Sequence, residues 1–139
     1  MKKLALLIFS LMFCVTFSSA QLMNINLNDQ GPTPGSNEIY YVHLYQVDVA
    51  GGTPVAISSG ADQTFSTTNY PNGVLQVYFS AGIPNDVYEK IYRVKFKIQR
   101  RLNVPPYTVI VRGDPDYSEW CNSDMFYSGS GFIGYGTLN

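Results

Sequence analysis

From residue 92 to residue 101 the chain alternates, with Tyr92, Val94, Phe96 and Ile98 set against Arg93, Lys95, Lys97 and Gln99. A period of two over this length predicts a strand with one buried apolar face and one solvated cationic face. Glu38–Val49, dense in Tyr, Val and Ile, predicts a second long strand. Its odd positions Ile39, Tyr41, His43, Tyr45, Val47 and Val49 point one way and Tyr40, Val42 and Leu44 the other. Both faces are apolar at its start, as in a central strand. Shorter runs of the same kind lie at 54–59, 63–69, 74–80 and 107–112, and a short first strand is expected at 22–27. Asn72-Gly73 between two strand-like runs signals a tight hairpin joining the strands around Phe65 and Val77, with Gly73 at positive φ. No 3.6-residue periodicity follows the N-terminal segment. An all-β chain is the expectation.

The N-terminal segment reads differently. Lys2 and Lys3 precede an apolar run over 4–17, and Ser18-Ser19-Ala20 then offers small residues before a cut after Ala20. Charge, apolar run and small residues in that order are the signature of a secretory signal peptide. A membrane anchor would need about 20 apolar residues to cross the bilayer. Acylation at Cys14, the lipoprotein alternative, is disfavoured by the bulky Phe13 before it. The expected organisation is a cleaved signal helix over 1–20, a polar lead-in over 21–37, and one β domain over 38–139 with an aromatic, Gly-rich C-terminal segment. The product is expected to be secreted, periplasmic or at the cell surface, with no transmembrane anchor in the mature chain.

Cleavage would change the composition that matters. The mature chain keeps 7 of 9 basic and all 10 acidic side chains, so its net charge is −3. That sign, together with export, argues against nucleic acid as a partner. Only Cys121 survives, so no intrachain disulfide forms and the core alone must hold the fold. The absence of any Asn-x-Ser/Thr sequon among ten mature Asn residues points to a bacterial source.

The stretch Phe65-Ser66-Thr67-Thr68-Asn69-Tyr70-Pro71-Asn72-Gly73-Val74-Leu75-Gln76-Val77 resembles the strand-turn-strand ending in Pro-Asn-Gly of bacterial immunoglobulin-like and fibronectin-III-like extracellular domains. The resemblance implies an antiparallel, two-sheet β-sandwich with a spacer, adhesion or binding role and no shared catalytic residues. The chain departs from that plan after Arg101, where 38 further residues follow.

Candidate chemistry is sparse. His43 is the single histidine, and a Ser-His-Asp triad would have to be built on it. Its ordinary reading is a packed or partly exposed strand histidine. One His and one mature Cys are too few for structural zinc, and a Cys121–His43 nucleophile pair has no local signature. Cys121 is expected to be buried beside Trp120 as a small hydrophobe. No glycine-rich phosphate loop opens a helix, so no nucleotide or other cofactor is expected. Asp114, Asp116 and Glu119, with Asp124 nearby, supply hard oxygen ligands of the kind that hold Ca²⁺, but without EF-hand spacing. A solvated acidic turn is the simpler expectation. Arg93, Lys95, Lys97 and Arg101 would line one strand face over roughly 26 Å, long enough to meet an extended polyanion, or simply deter edge pairing.

The C-terminal segment gathers Tyr117, Trp120, Phe126, Tyr127, Phe132 and Tyr135. A terminal strand completing the core is one outcome. An exposed aromatic patch of Tyr117 and Trp120 is the other. The sequence thus predicts a non-enzymatic binding or surface-structural module with a protein or glycan partner, Tyr117, Trp120, Arg93, Lys95 and Lys97 being its ligand-binding candidates. The alternative is a small secreted carbohydrate-active accessory or hydrolase using Trp120 and nearby carboxylates.

Overall fold

A computed structural model describes residues 20–68, 73–83, 90–123 and 131–139. Residues 1–19 of the expected signal peptide 1–20, the expected turn residues Tyr70, Pro71 and Asn72, and Asp124, Phe126 and Tyr127 lie outside the described residues. Among those described there are ten strands and no helix: β1 (Gln21–Asp29), β2 (Glu38–Val49), β3 (Val55–Ser59), β4 (Asp62–Ser66), β5 (Val74–Ala81), β6 (Ile91–Leu102), β7 (Val109–Arg112), β8 (Asp116–Tyr117), β9 (Cys121–Asn122) and β10 (Phe132–Leu138). The protein is all-β.

The strands form one sheet path in the order β10-β1-β5-β3-β2-β6-β7, with β4 on β2 and both β8 and β9 on β6. The two ends of this path approach each other. Glu119 N donates to Ile133 O at 2.8 Å and Asn139 N to Arg112 O at 3.0 Å. The sheet therefore curls nearly into a barrel. Across the remaining gap, the Gln63 side chain of β4 acts like a strand backbone: its Nε2 donates to Tyr78 O at 2.7 Å and its Oε1 accepts from Tyr78 N at 3.4 Å.

The expected antiparallel pairing is corrected at one place. β1 and β10 run parallel, Met23 opposite Phe132 through Asp29 opposite Leu138, so the sheet is mixed. A parallel pair needs a long connection, and here nearly the whole domain lies between the two strands. The hairpin between Phe65 and Val77 is also corrected. β4 pairs with β2, and β5 pairs with β1 and β3, so those strands do not share a ladder. Long-range partners with matching apolar faces outcompete the local turn. Gly73 does take the expected positive φ, at 67°.

Tyr92, Val94, Phe96 and Ile98 of β6 are buried as the alternation requires, while Arg93, Lys95, Lys97 and Arg101 are half-buried on the outer face. β2 follows its period of two only halfway. Tyr40, Val42 and Leu44 point inward, then the register slips between Leu44 and Gln46, so Val47 is buried rather than facing out with Tyr45. A bulge at Tyr45, the extra residue opposite β6, causes this switch of face.

The asparagine-rich segment read as lead-in forms β1, between β5 and β10, with Met23 and Ile25 in the core. β10 places Phe132 and Leu138 inside and turns Tyr135 outward. Gly134 and Gly136 take the inward positions between, where an added Cβ would stand 3.1 Å from the Phe96 ring and 2.8 Å from Ile98. The missing side chains are what let β10 lie against β6.

Candidate functional site

The outer face of β2 and β6 gathers cations, carboxylates and polar-tipped rings, whereas the inner face is mostly apolar. Antiparallel register sets His43 opposite Lys97, Gln46 opposite Lys95 and Asp48 opposite Arg93. β8 then adds Tyr117 beside Lys95 on the far side of β6. Alternation alone brings these groups to one surface.

At one end the Arg93 guanidinium lies between two rings, its Cζ 4.1 Å from the Tyr117 centroid and 4.5 Å from that of Trp120. Its Nε stands 3.7 Å from Asp48 Oδ2, and Asp48 Oδ1 accepts from Gln46 Nε2 at 2.6 Å. Trp120 remains 43% exposed. Lys95 Nζ is 5.7 Å from the Tyr45 ring and 5.8 Å from Tyr117. A cation over an aromatic face is attracted by the ring quadrupole, and guanidinium stacks there especially well.

At the other end Arg101 Cζ lies 3.8 Å from the Tyr41 ring and 4.9 Å from Tyr107. Tyr107 is exposed and holds a φ of 57°, a left-handed conformation that bulky residues avoid. Between the two ends, Asp62 of β4 accepts hydrogen bonds from the Tyr41 hydroxyl and, at 2.7 Å, from His43 Nδ1. The Tyr41 bond, then the His43 bond, hold the Asp62 carboxyl below its ordinary value. Partial burial, with Asp62 second, pushes the Tyr41 phenol up to about 12. His43 also meets Tyr45 edge-on at 4.6 Å between centroids.

Four of the sequence candidates, Arg93, Lys95, Tyr117 and Trp120, thus form one contact cluster. Lys97 stands on the same face, and no carboxylate among the described residues pairs with it or with Lys95. Asp114, Asp116 and Glu119 are exposed, and no group of three metal-ligating side chains exists among the described residues. Asp116 Oδ1 instead accepts from Tyr117 N at 2.7 Å, within β8. Cys121 belongs to the core cluster, whereas His43 faces outward, so the two do not form a nucleophile pair.

Sequence inspection missed Tyr41, Tyr45, Tyr107 and Asp62. The odd-numbered Tyr41-His43-Tyr45 row was the available signal, since three aromatic, polar-tipped rings at a period of two mark a half-wet face. Asp62 carried none, because its partners come from another strand. Comparison with protein-family models, curated proteins and solved structures gives no match.

Proposed function

We propose that this chain is an exported, non-enzymatic binding module whose ligand face is the outer surface of β2, β6 and β8. Arg93 carries the proposal: it is clamped between Tyr117 and Trp120, beside an indole that is 43% exposed. Rings with polar tips, and cations already fixed over them, make contact area at low entropic cost. The charged, apolar and small-residue order of 1–20 supports export to the periplasm, cell surface or medium. An immunoglobulin-like sandwich keeps support only from the all-β content, because β4 and β5 share no ladder across Phe65 to Val77.

The test uses the full chain expressed with its N-terminal segment, followed by sequencing of the exported product, expected to begin at Gln21. Labelled product is then applied to intact bacterial cells and cell-wall material. Wild type should be retained, while Trp120→Ala and Arg93→Ala should each reduce retention about ten-fold, the equivalent of roughly 1.4 kcal/mol. Undiminished retention of both variants would remove the site, and turnover of the retained material would remove the non-enzymatic assignment.

A further inference from the structure

Resting on that binding role, we infer that the ligand is an anionic polysaccharide lying along β6 from Trp120 to Tyr107. Three observations carry the assignment.

First, charge is segregated. Outward on β2, β4 and β6 stand four cations, Arg93, Lys95, Lys97 and Arg101, against Asp48 and Asp62, with Asp116 exposed on neighbouring β8. The first two carboxylates are already engaged, Asp48 by Arg93 and Gln46 and Asp62 by Tyr41 and His43. The whole chain is net −1, so this strip is positive on an otherwise acidic molecule.

Second, the cations form a line rather than a patch. Consecutive same-face residues on a strand are roughly 6.6 Å apart, so Arg93 to Arg101 spans about 26 Å. A compact anion meets one of them, and an extended chain of charges meets all four.

Third, aromatic rings interleave with the charges. Tyr117 and Trp120 flank Arg93, Tyr45 and Tyr117 flank Lys95, and Tyr41 and Tyr107 flank Arg101. A charged sugar polymer offers what this pattern asks for, apolar ring faces for the aromatics and spaced carboxylates or sulfates for the cations. Stacked guanidinium groups keep their N–H edges free for such oxyanions. Nucleic acid offers stacking and charge too, but export, on which the binding role rests, sets the chain among cell-surface polymers.

The experiment titrates the chain, followed by the fluorescence of its single Trp and by calorimetry, with polygalacturonate, dextran sulfate, neutral dextran and oligo-dT. Saturable binding to polygalacturonate or dextran sulfate, absent with neutral dextran and much weaker with oligo-dT, is expected, and the better of the two names the oxyanion. Lys97→Glu, at the middle of the strip and away from Trp120, should weaken that binding at least about ten-fold. A galacturonate dimer should bind far more weakly than the polymer. Equal binding of neutral dextran, a preference for oligo-dT, an inert Lys97→Glu or no binding at all would each overturn the assignment. The underlying binding role fails separately, when retention on cells ignores both Trp120→Ala and Arg93→Ala.

Discussion

The guanidinium of Arg100, with none of its side chain exposed, lies 3.3 Å from the carboxylate of Asp29. Its Nη1 is 3.3 Å from Glu38 Oε2, and its Nη2 donates to Pro32 O at 2.5 Å. Asp29 ends β1 and Glu38 begins β2, so one buried cation ties down both ends of the connection and its middle. Tyr40 adds a hydroxyl donated to Asp29 Oδ2 at 3.0 Å. A buried charge is tolerated only when paired in this way. Arg100→Met should therefore cost roughly 3–5 kcal/mol, because it leaves two mostly buried carboxylates without their counter-charge. Urea unfolding of Arg100→Met, Asp29→Asn and the double variant should show a coupling above about 0.5 kcal/mol. Additive losses would mean that the two groups act independently.

β6 offers the sharpest contrast between faces. Phe96 is fully buried against Gly134, and Lys97 next to it points outward opposite His43. Phe96→Ala should lose roughly 3–5 kcal/mol by removing ring contacts and leaving a cavity. Lys97→Ala should change stability by less than about 0.5 kcal/mol. Equal losses in chemical denaturation would place the faces the other way round.

Much of this was legible in the sequence, and the exceptions have physical causes. The alternation over Tyr92 to Ile98 gave β6 and its buried face, and the same period carries on to Arg100. A charge at an inward position is hard to accept before its partners, distant in sequence, are known. The bulge at Tyr45 left no sequence mark, yet it turns Val47 into the core. β1 was underestimated because Asn is a poor strand former, and the Met23-Ile25 alternation needed β5 and β10 to give it meaning. At the site, Arg93, Lys95, Tyr117 and Trp120 could be nominated from residue type. That they touch, and that Tyr41, Tyr45 and Tyr107 join them, depends on strand register.

Gly73 shows a local rule surviving the loss of its expected context. No hairpin ladder forms around it, yet its φ is 67° and its carbonyl accepts from Leu27 N at 2.5 Å. A Cβ here would stand 2.7 Å from Leu27 O. Gly73→Ala should thus destabilise by at least about 1 kcal/mol, from the left-handed backbone alone. A thermal-melt or urea series in which it matches wild type would show that the turn relaxes freely.

Alkaline pH should destabilise the fold through three groups whose protonated forms it prefers. Burial pushes the Cys121 thiol from 9.0 up to about 12. Burial first, then the hydrogen bond to Asp29, raises the Tyr40 phenol from 10.0 to about 12, and Tyr41 rises to about 12 through burial and Asp62. Each group holds its proton in the folded chain at a pH where the unfolded chain has lost it. Stability from these groups is therefore complete below about pH 9 and declines as pH rises through about 12. Cys121 contributes the earliest part of that decline, so Cys121→Ala should flatten the stability profile between about pH 9 and 10 while Tyr40→Phe flattens it above 10. The same burial should make native Cys121 unreactive toward iodoacetamide at pH 8 and reactive once urea unfolds the chain, since the thiolate is the nucleophile. Rapid alkylation of the native protein would show that β9 opens readily, and the Cys121 share of the alkaline decline would then vanish.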